Sequence, residues 1–363
     1  MKLKCILWAL LAISAAQLGC QSQPSARTFL IEPEDARRLG YRVATTLDLA
    51  LPDHQRVKYA EAFDDRLVVV EAPGNQVTSV SLTDGAVQWR RTVGARSQRL
   101  HAPVRYGEKI LINAESELFL LSAENGELLE RQTLTEPVDH TPAVHGSLAI
   151  FGSVTGMVFA HDLASGHYRW RRRLAGEVLT APVVNNRDVF VTDATGRCEL
   201  LSADTGEFLW SARTFGPITA PPWMDQGTIY LASSDQSLYA LRRSSGRDHW
   251  IYRSGKPLDD GPVVLGSLVL LPVPDKGLQA LSARRGQEKW TLAAPAVPIT
   301  QRQNRILLNR SEELLVVDAD RGRMIKQATT RPLLRIVSLD QDRLLLVSPH
   351  GKLQRLDPIP LSR

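Results

Sequence analysis

The chain has 363 residues, of which 43% are hydrophobic and 6% aromatic, a composition typical of a folded domain. No stretch beyond the first twenty residues is long and apolar enough to cross a bilayer, which excludes a helical membrane protein. The formal net charge is +5, and the arginine pairs and triplets have no stacking aromatic residues between them, so we expect no nucleic-acid partner.

The first twenty residues have the pattern of an export signal. Lys2 and Lys4 supply the positive start, and the apolar run 6–16 is too short for a membrane helix. The segment Gln17-Leu18-Gly19-Cys20 resembles the lipobox of bacterial lipoproteins, although that family usually has leucine at the first of these positions.

The lipobox resemblance implies a signal peptide over 1–19 and a lipid on Cys20. Gln21 after the cysteine is similar to the signal that sorts lipoproteins to the outer membrane. We therefore expect a lipoprotein of the outer membrane that faces the periplasm. Ordinary cleavage after Ala16, which would release a soluble periplasmic protein, is the alternative.

A short helix is predicted just before the repeats begin. Residues 32–40 place Pro33 at the first helical position, acidic residues in the first turn, arginines near the end and Gly40 after it. Together with the residues that precede it, this helix makes up the predicted lipid-anchored tether, residues 20–40.

A glycine followed four residues later by tryptophan recurs about every 40 residues along the chain. The copies are Gly85 with Trp89, Gly166 with Trp170, Gly206 with Trp210, Gly246 with Trp250 and Gly286 with Trp290. Two degenerate copies, Gly126 with Glu130 and Gly322 with Lys326, make seven units. Glycine permits a positive φ in the turn, and one indole per unit predicts that the tryptophans dock in the seams between neighbouring units.

Each unit has room for four short strands. Prolines such as Pro182 and Pro262 open apolar stretches, and a residue without an amide hydrogen is tolerated at a strand start or edge. We expect these prolines at an innermost strand beside a central channel. Two further strand-like runs follow, for example 228–232 and 237–241, before the strand that carries tryptophan.

The two ends of the chain decide the number of units. The runs 333–339, 343–347 and 351–356 supply three strands of an eighth unit that has no tryptophan strand. The alternating run 43–49, which precedes the first unit, supplies the missing strand and leaves no open sheet edge.

We therefore predict an all-β fold, an eight-bladed β-propeller over 41–358. Its blades are four-stranded and antiparallel, and an N-terminal strand closes the ring. Residues 359–363 form a C-terminal tail. Seven blades is the alternative, because the chain contains seven of the glycine turns.

The repeat resembles a known family of propellers. The run 201–210, Leu-Ser-Ala-Asp-Thr-Gly-Glu-Phe-Leu-Trp, resembles the tryptophan-docking repeat of the PQQ-type propellers, and the resemblance covers nearly the whole mature chain. That superfamily contains the PQQ-dependent dehydrogenases and the BamB family of outer-membrane lipoproteins. The export signal, the lipobox cysteine, the length and the eight-blade count are similar to the BamB family.

The BamB resemblance implies a non-catalytic protein-interaction scaffold in the cell envelope. Its partner would be the barrel assembly machinery, with membrane contact through the N-terminal lipid, and we expect a monomer. One departure is the short link 211–219, because BamB relatives carry longer docking loops.

The alternative is a PQQ-dependent dehydrogenase-like quinoprotein or another periplasmic ligand-binding propeller. In those dehydrogenases a disulfide of adjacent cysteines lies against the quinone, beside a calcium ion and a catalytic aspartate. Here Cys5, Cys20 and Cys198 are far apart, and Cys198 lies in an apolar alternating run that predicts burial. Asp259 and Asp260 are interpreted as exposed loop acids. We therefore expect no enzymatic activity, no cofactor, and no catalytic or metal-ligating residues.

Two histidines occupy equivalent positions in neighbouring units. His101 and His140 each lie two residues before a strand-opening proline. Such positions can meet at one rim of the channel, which would make the pair candidate metal ligands. We adopt the alternative, that both are solvent-facing loop histidines.

Overall fold

The computed structural model describes residues 29–360. The predicted signal peptide, the lipidation site Cys20 and the sorting residue Gln21 lie outside the described residues. Within 29–360 the chain forms one α-helix, a short 3₁₀ helix (Asp340–Asp342) and 32 β-strands. In the same part of the chain, no helix has the length and apolarity needed to traverse a lipid bilayer.

The described residues form eight antiparallel sheets of four strands each, and these sheets are the blades of a propeller. Strand β1 is Tyr41–Asp48. Blades 1 and 2 consist of β2 (Arg56–Phe63), β3 (Arg66–Ala72), β4 (Gln76–Ser81) and β5 (Val87–Thr92), then β6 (Val104–Tyr106), β7 (Lys109–Ala114), β8 (Glu117–Ser122) and β9 (Leu128–Thr133). Blades 3 and 4 consist of β10 (Ala143–His145), β11 (Leu148–Gly152), β12 (Met157–Asp162) and β13 (His167–Arg173), then β14 (Val183–Asn185), β15 (Asp188–Thr192), β16 (Arg197–Ser202) and β17 (Phe208–Arg213).

The remaining blades follow in chain order, and within each blade the first strand is innermost. Blades 5 and 6 consist of β18 (Trp223–Met224), β19 (Thr228–Ser233), β20 (Ser237–Arg242) and β21 (Asp248–Arg253), then β22 (Val263–Leu265), β23 (Leu268–Val273), β24 (Gly277–Ser282) and β25 (Glu288–Leu292). Blade 7 consists of β26 (Val297–Arg302), β27 (Arg305–Arg310), β28 (Glu313–Asp318) and β29 (Met324–Thr329). Blade 8 contains β30 (Arg335–Ser338), β31 (Leu344–Val347) and β32 (Lys352–Pro358).

The fourth strand of blade 8 is β1, from the other end of the chain. Strands β1 and β32 are antiparallel, with Tyr41 opposite Pro358. This pairing confirms the predicted eight blades and the closure by an N-terminal strand, and the alternative of seven blades is wrong. Pairing the two ends of the chain satisfies backbone groups that would otherwise lie along open sheet edges.

The strand sequences explain how the blades pack. In blade 5 the two middle strands, β19 and β20, are buried along almost their whole length because both of their faces contact neighbouring blades. The outer strand β21 alternates between exposed and partly buried residues. The hydrophobic core therefore lies in the seams, where for example Tyr230 and Leu238 of blade 5 pack with Leu271 of blade 6.

The prolines precede the innermost strands, as the sequence predicts. Pro182 and Pro262 are buried and directly precede β14 and β22. In blade 5 the buried proline next to the strand is Pro222, whereas Pro221 is exposed one residue earlier.

The ring has two distinct ends. We call one end the link face, because it carries the links between blades 1 to 6, at 93–103, 134–142, 174–182, 214–222 and 254–262. The turns between second and third strands lie at the same end, as the hydrogen bond from Val138 N to Glu115 O shows. The opposite end carries the other hairpin turns and is called the hairpin face.

The N-terminal segment fills the groove between blades 7 and 8. Helix α1 spans Pro33–Leu39 and is followed by Gly40 at φ 92°. The helix packs against the outer strands β29 and β1. Ala36 and Leu39 are buried there together with Leu30 and Ile31, which precede the helix.

Candidate functional site

The five tryptophans of the predicted repeats lie in the seams between blades. Each indole N–H donates a hydrogen bond to a backbone oxygen of the following blade. The bonds are Trp89 to Ala123 at 3.0 Å, Trp170 to Ala203 at 2.9 Å, Trp210 to Arg243 at 2.7 Å, Trp250 to Ala283 at 2.9 Å and Trp290 to Ala319 at 2.8 Å. Each bond gives the buried indole N–H a partner and fixes the ring against the next blade.

Each of these rings lies on the turn glycine of the next repeat. A Cβ built on Gly206, whose φ is +70°, would lie 2.6 Å from Trp170. The same close approach occurs at Gly126, Gly246, Gly286 and Gly322. The predicted Gly85 and Gly166 do not contact an indole, and their nearest neighbours are Thr45 and Gln132. The glycine of one repeat therefore meets the tryptophan of the preceding repeat.

Two seams without tryptophan use other side chains at the same backbone position. Between blades 2 and 3, the Gln132 amide donates to Leu163 O at 2.9 Å. Between blades 8 and 1, the Arg355 guanidinium donates to Leu82 O. Leu163 and Leu82 occupy the same position in their repeats that Ala203 occupies in its own. The repeat pattern does not reveal either donor, because neither stands at the tryptophan position of its repeat.

The seam between blades 7 and 8 is closed by the N-terminal segment. Its tryptophan position holds Lys326, which is exposed. The fully buried Gln354 accepts hydrogen bonds from Leu30 N at 2.8 Å and Ile31 N at 2.9 Å, and donates to Ile31 O at 3.0 Å. The amide of Arg331 donates to Leu30 O at 2.8 Å. Gln354 thus fastens the chain just before α1, a role that the repeat pattern did not reveal.

A cavity that is open to solvent lies at the channel mouth on the link face. The lining residues come from blade 1 and from the links, and include Tyr59, Arg99, His101, Asp139 and His140. His101 is 4% exposed and His140 is half-buried. The interpretation of His101 as a solvent-facing histidine is therefore wrong. The two histidines line one cavity.

The channel mouth carries basic groups and a carboxylate, and both affect His101. Burial lowers the pKa of His101 to about 4, an effect that the Asp139 carboxylate opposes and Lys58 and Arg99 reinforce. Burial also lowers the pKa of Lys58, with a further contribution from Arg99. His101 Nε2 lies 3.8 Å from Asp139 Oδ1, beyond hydrogen-bonding distance.

The residues present do not fit a PQQ cofactor. Cys198 is fully buried in the core between blades 4 and 5, and burial raises the pKa of its thiol to about 12. No second cysteine lies within 29–360 to form the disulfide that the dehydrogenase resemblance implies. Asp259 and Asp260 are exposed. Across the described part of the chain, no three His, Cys, Asp or Glu side chains are grouped to hold a metal ion.

Solved propellers resemble the structure over most of its length. A crystal structure of BamB from Moraxella catarrhalis matches with a TM-score of 0.71 and 17% identity, covering 89% of this chain and 99% of that one. The computationally designed Ika8 protein matches with a TM-score of 0.68 and 14% identity, covering 85% and 98%. The C-terminal WD40 domain of Sif2 matches with a TM-score of 0.68 and 12% identity, covering 88% and 99%. At these identities the likeness shows the propeller fold.

The sequence comparisons identify a family. No curated protein sequence matches the chain. The sequence model of the family described as outer membrane protein assembly factor BamB matches residues 114–221 and 195–335, which together extend over more than half of the chain, from blade 2 to the start of blade 8. The chain therefore belongs to the BamB family of outer membrane protein assembly factors.

Proposed function

We propose that this protein is a cell-envelope lipoprotein, anchored through Cys20, that acts as a non-catalytic interaction scaffold in the assembly of outer-membrane proteins. The observation that carries the proposal is the family match over 114–335. The proposed partner is a protein of the barrel assembly machinery, and the proposed oligomeric state is a monomer that faces the periplasm from the outer membrane.

The ring geometry supports a scaffold role. Seams held by an indole or by another side-chain donor make a rigid support, and short links and hairpins are displayed at its two faces. A partner can bind across a face or add a strand to an exposed edge. The outer strand β9, for example, exposes Leu128 and Leu129. Exposed apolar residues on such a strand suit protein contacts.

Membrane anchoring is tested with two cysteine variants of the tagged full-length protein. Cys20→Ala is expected to move the protein from the membrane fraction to the soluble periplasmic fraction, because it removes the proposed lipid site. Cys5→Ala is the matched control, since Cys5 lies within the proposed signal, and it is expected to remain membrane-bound. A membrane fraction that Cys20→Ala leaves unchanged would contradict lipid anchoring.

The partner is tested by chemical crosslinking in membranes followed by affinity purification and mass spectrometry. Recovery of the barrel assembly complex with the wild-type protein, and not with an equally tagged lipoprotein of unrelated fold, is expected. Recovery of unrelated envelope proteins alone would reject the assembly role while leaving the anchoring result intact.

The non-catalytic role has its own test. Purified protein supplied with PQQ, calcium, an alcohol and a redox dye is expected to reduce no more dye than a buffer control. Reduction that depends on both PQQ and the protein would overturn the proposal and favour the dehydrogenase-like alternative.

A further inference from the structure

The described chain begins beside the outer strand of blade 7. The amide of Arg331, in the link after β29, donates to Leu30 O at 2.8 Å, and Leu30 packs with Ala328 of β29. The chain then continues through α1, which also contacts β29. The chain that precedes residue 29 is therefore attached to the ring at blade 7, next to the end of β29.

The length of the preceding chain limits the distance between this attachment point and the membrane. Nine residues, 20–28, extend from the proposed lipid site at Cys20 to the first described residue. A chain of that length spans at most about 30 Å. The proposed anchor therefore keeps blade 7 within that distance of the bilayer, whereas blade 3, on the opposite side of the eight-bladed ring, is not held there.

We call residues 319–331, which comprise the last turn, the outer strand and the following link of blade 7, the blade 7 rim. It carries one acidic side chain, Asp320, and four basic side chains, all of them exposed. The basic residues are Arg321, Arg323, Lys326 and Arg331. In the described structure the salt bridges of blade 7 are made by other residues, Arg302 and Arg310. The four rim cations therefore have no carboxylate partner there, and the rim has an excess of positive charge.

Two apolar side chains lie among these charges. Met324 is 49% exposed and Ile325 is 42% exposed, although α1 packs beside their strand. Lys326 stands at the tryptophan position of the repeat, but its side chain is exposed because the N-terminal segment fills the seam instead. Basic side chains next to exposed apolar ones are the composition that binds the surface of an anionic bilayer.

The outer strand of blade 3 is the competing surface. Strand β13 carries four arginines and no acidic residue, so charge alone would select blade 3. The large apolar side chains of that strand, Tyr168 and Trp170, are not exposed. The attachment point of the preceding chain and the exposed Met324 and Ile325 both select blade 7.

We propose that the blade 7 rim is a membrane-contacting surface that binds anionic phospholipids of the bilayer in which the protein is anchored. The orientation rests on the proposed lipid at Cys20, whereas the affinity for anionic lipid is a property of the ring. Arg321, Arg323 and Lys326 attract the phosphate groups, and Met324 contacts the apolar boundary beneath them. Blade 3 then faces away from the membrane and is free for protein partners.

The first test uses protein without a lipid. The ring is closed by β1 and β32 within 29–360, so a chain that begins at Gln21 keeps every described residue. Its binding to vesicles of phosphatidylglycerol and phosphatidylcholine is measured by flotation, against vesicles of phosphatidylcholine alone. We expect binding to the anionic vesicles that weakens as sodium chloride is added, and none to the neutral vesicles. Absence of binding to anionic vesicles would overturn the proposal, whether or not Cys20 carries a lipid in cells.

A triple variant locates the binding on the rim. Arg321→Gln/Arg323→Gln/Lys326→Gln is expected to weaken binding to the anionic vesicles about tenfold or more, because each basic residue at a bilayer surface contributes to the affinity. All three side chains are exposed, so the variant is expected to keep the circular dichroism spectrum of the wild type.

The matched control removes the same charge from the opposite side of the ring. Arg169→Gln/Arg171→Gln/Arg173→Gln replaces three exposed arginines of β13. It is expected to weaken binding less than about twofold, because charges farther from the lipid than the screening length contribute little. Equal weakening by the two triple variants would show that only the net charge matters, and it would overturn the proposal.

A second measurement determines the orientation of the lipid-anchored full chain. A fluorophore is attached at Met324→Cys or, on the opposite side of the ring, at Arg171→Cys, in vesicles whose phospholipid carries a quencher in the headgroup. Cys198 is fully buried and does not compete for the label. Quenching at position 324 and not at position 171 is expected. Equal or stronger quenching at position 171 would contradict the assignment of the blade 7 rim to the membrane.

Discussion

The side-chain amide of Gln132 donates a 2.9 Å hydrogen bond to the backbone oxygen of Leu163. In five other seams of the described structure an indole N–H donates to the corresponding oxygen, and in a seventh seam Arg355 donates to Leu82. The common feature of these seams is therefore a side-chain N–H donor to one backbone oxygen, and tryptophan is its most frequent source. An unpaired backbone oxygen in a seam costs stability, which explains why the donor persists where the indole is lost.

Replacing Gln132 by leucine tests this interpretation. Gln132→Leu leaves Leu163 O without its side-chain donor and also removes the His161 contact to the Gln132 oxygen at 2.8 Å. We expect the free energy of unfolding to fall by about 1–3 kcal/mol in urea denaturation. The matched control is Gln327→Leu on the exposed outer strand of blade 7, which is expected to change it by less than about 0.5 kcal/mol. Equal effects of the two substitutions would contradict the donor role.

The turn glycine beneath each indole is predicted to stabilise the fold in two ways: it adopts a positive φ, and it leaves room for the ring. Gly206→Ala places a Cβ about 2.6 Å from Trp170, whereas Gly146→Ala, at φ +57°, meets nothing within 4 Å. Both variants place alanine in the left-handed region, at a cost of about 1 kcal/mol. Gly206→Ala is expected to cost about 1–3 kcal/mol more, because the indole must shift. Thermal unfolding followed by tryptophan fluorescence compares the two, and similar losses would show that the ring contact is unimportant.

Loss of the Gln354 amide is predicted to loosen the N-terminal segment. Gln354→Leu keeps the volume but leaves Leu30 N, Ile31 N and Ile31 O without their partner. We expect hydrogen exchange over 30–39 to accelerate and the free energy of unfolding to fall by about 2–4 kcal/mol.

The control for that substitution is Gln279→Leu. Gln279 occupies the corresponding position of blade 6 and accepts one hydrogen bond from Tyr252 at 3.0 Å. Its replacement is expected to leave exchange over 30–39 unchanged. Unchanged exchange in Gln354→Leu as well would remove the proposed fastening role.

His101 is predicted to make stability depend on pH. Its pKa is lowered to about 4 in the folded state from an ordinary value of 6.5, so the unfolded chain binds a proton first as the pH falls. Stability is expected to fall by about 3 kcal/mol between pH 7 and pH 4 on account of this group. His101→Gln should flatten this part of the profile, and His350→Gln, at an exposed histidine, should not. The measurement is urea denaturation.

Cys198 is predicted to be unreactive in the folded protein. Its thiol is fully buried and burial raises its pKa to about 12, so little thiolate is present at neutral pH. N-ethylmaleimide is expected to label the Cys198 peptide in denaturant and to leave it unlabelled in native buffer, as read by mass spectrometry. Rapid native labelling would show that the seam between blades 4 and 5 opens readily.

Much of the fold could be predicted from the sequence because it repeats. The recurring glycine and tryptophan positions, such as Gly206 and Trp210, set the length of the unit, and alternation within 228–241 indicated its strands. The run 43–49 identified the closing strand because a ring with an unpaired edge is unfavourable. These are local patterns that recur along the chain.

Only the tertiary structure revealed the contacts that each blade makes with its neighbouring blade. Its contacts join residues that are distant in sequence. Trp170 lies on Gly206, and Gln354 binds Leu30. Gln132 and Arg355 each take the place of an indole. His101 has the same sequence signal as His140, yet it is buried, because burial depends on how the link between blades 1 and 2 packs. The sequence by itself determined the repeating unit through local backbone and side-chain preferences. The ring determined which side chains share a seam or a cavity, because those distances exist only once the blades are closed.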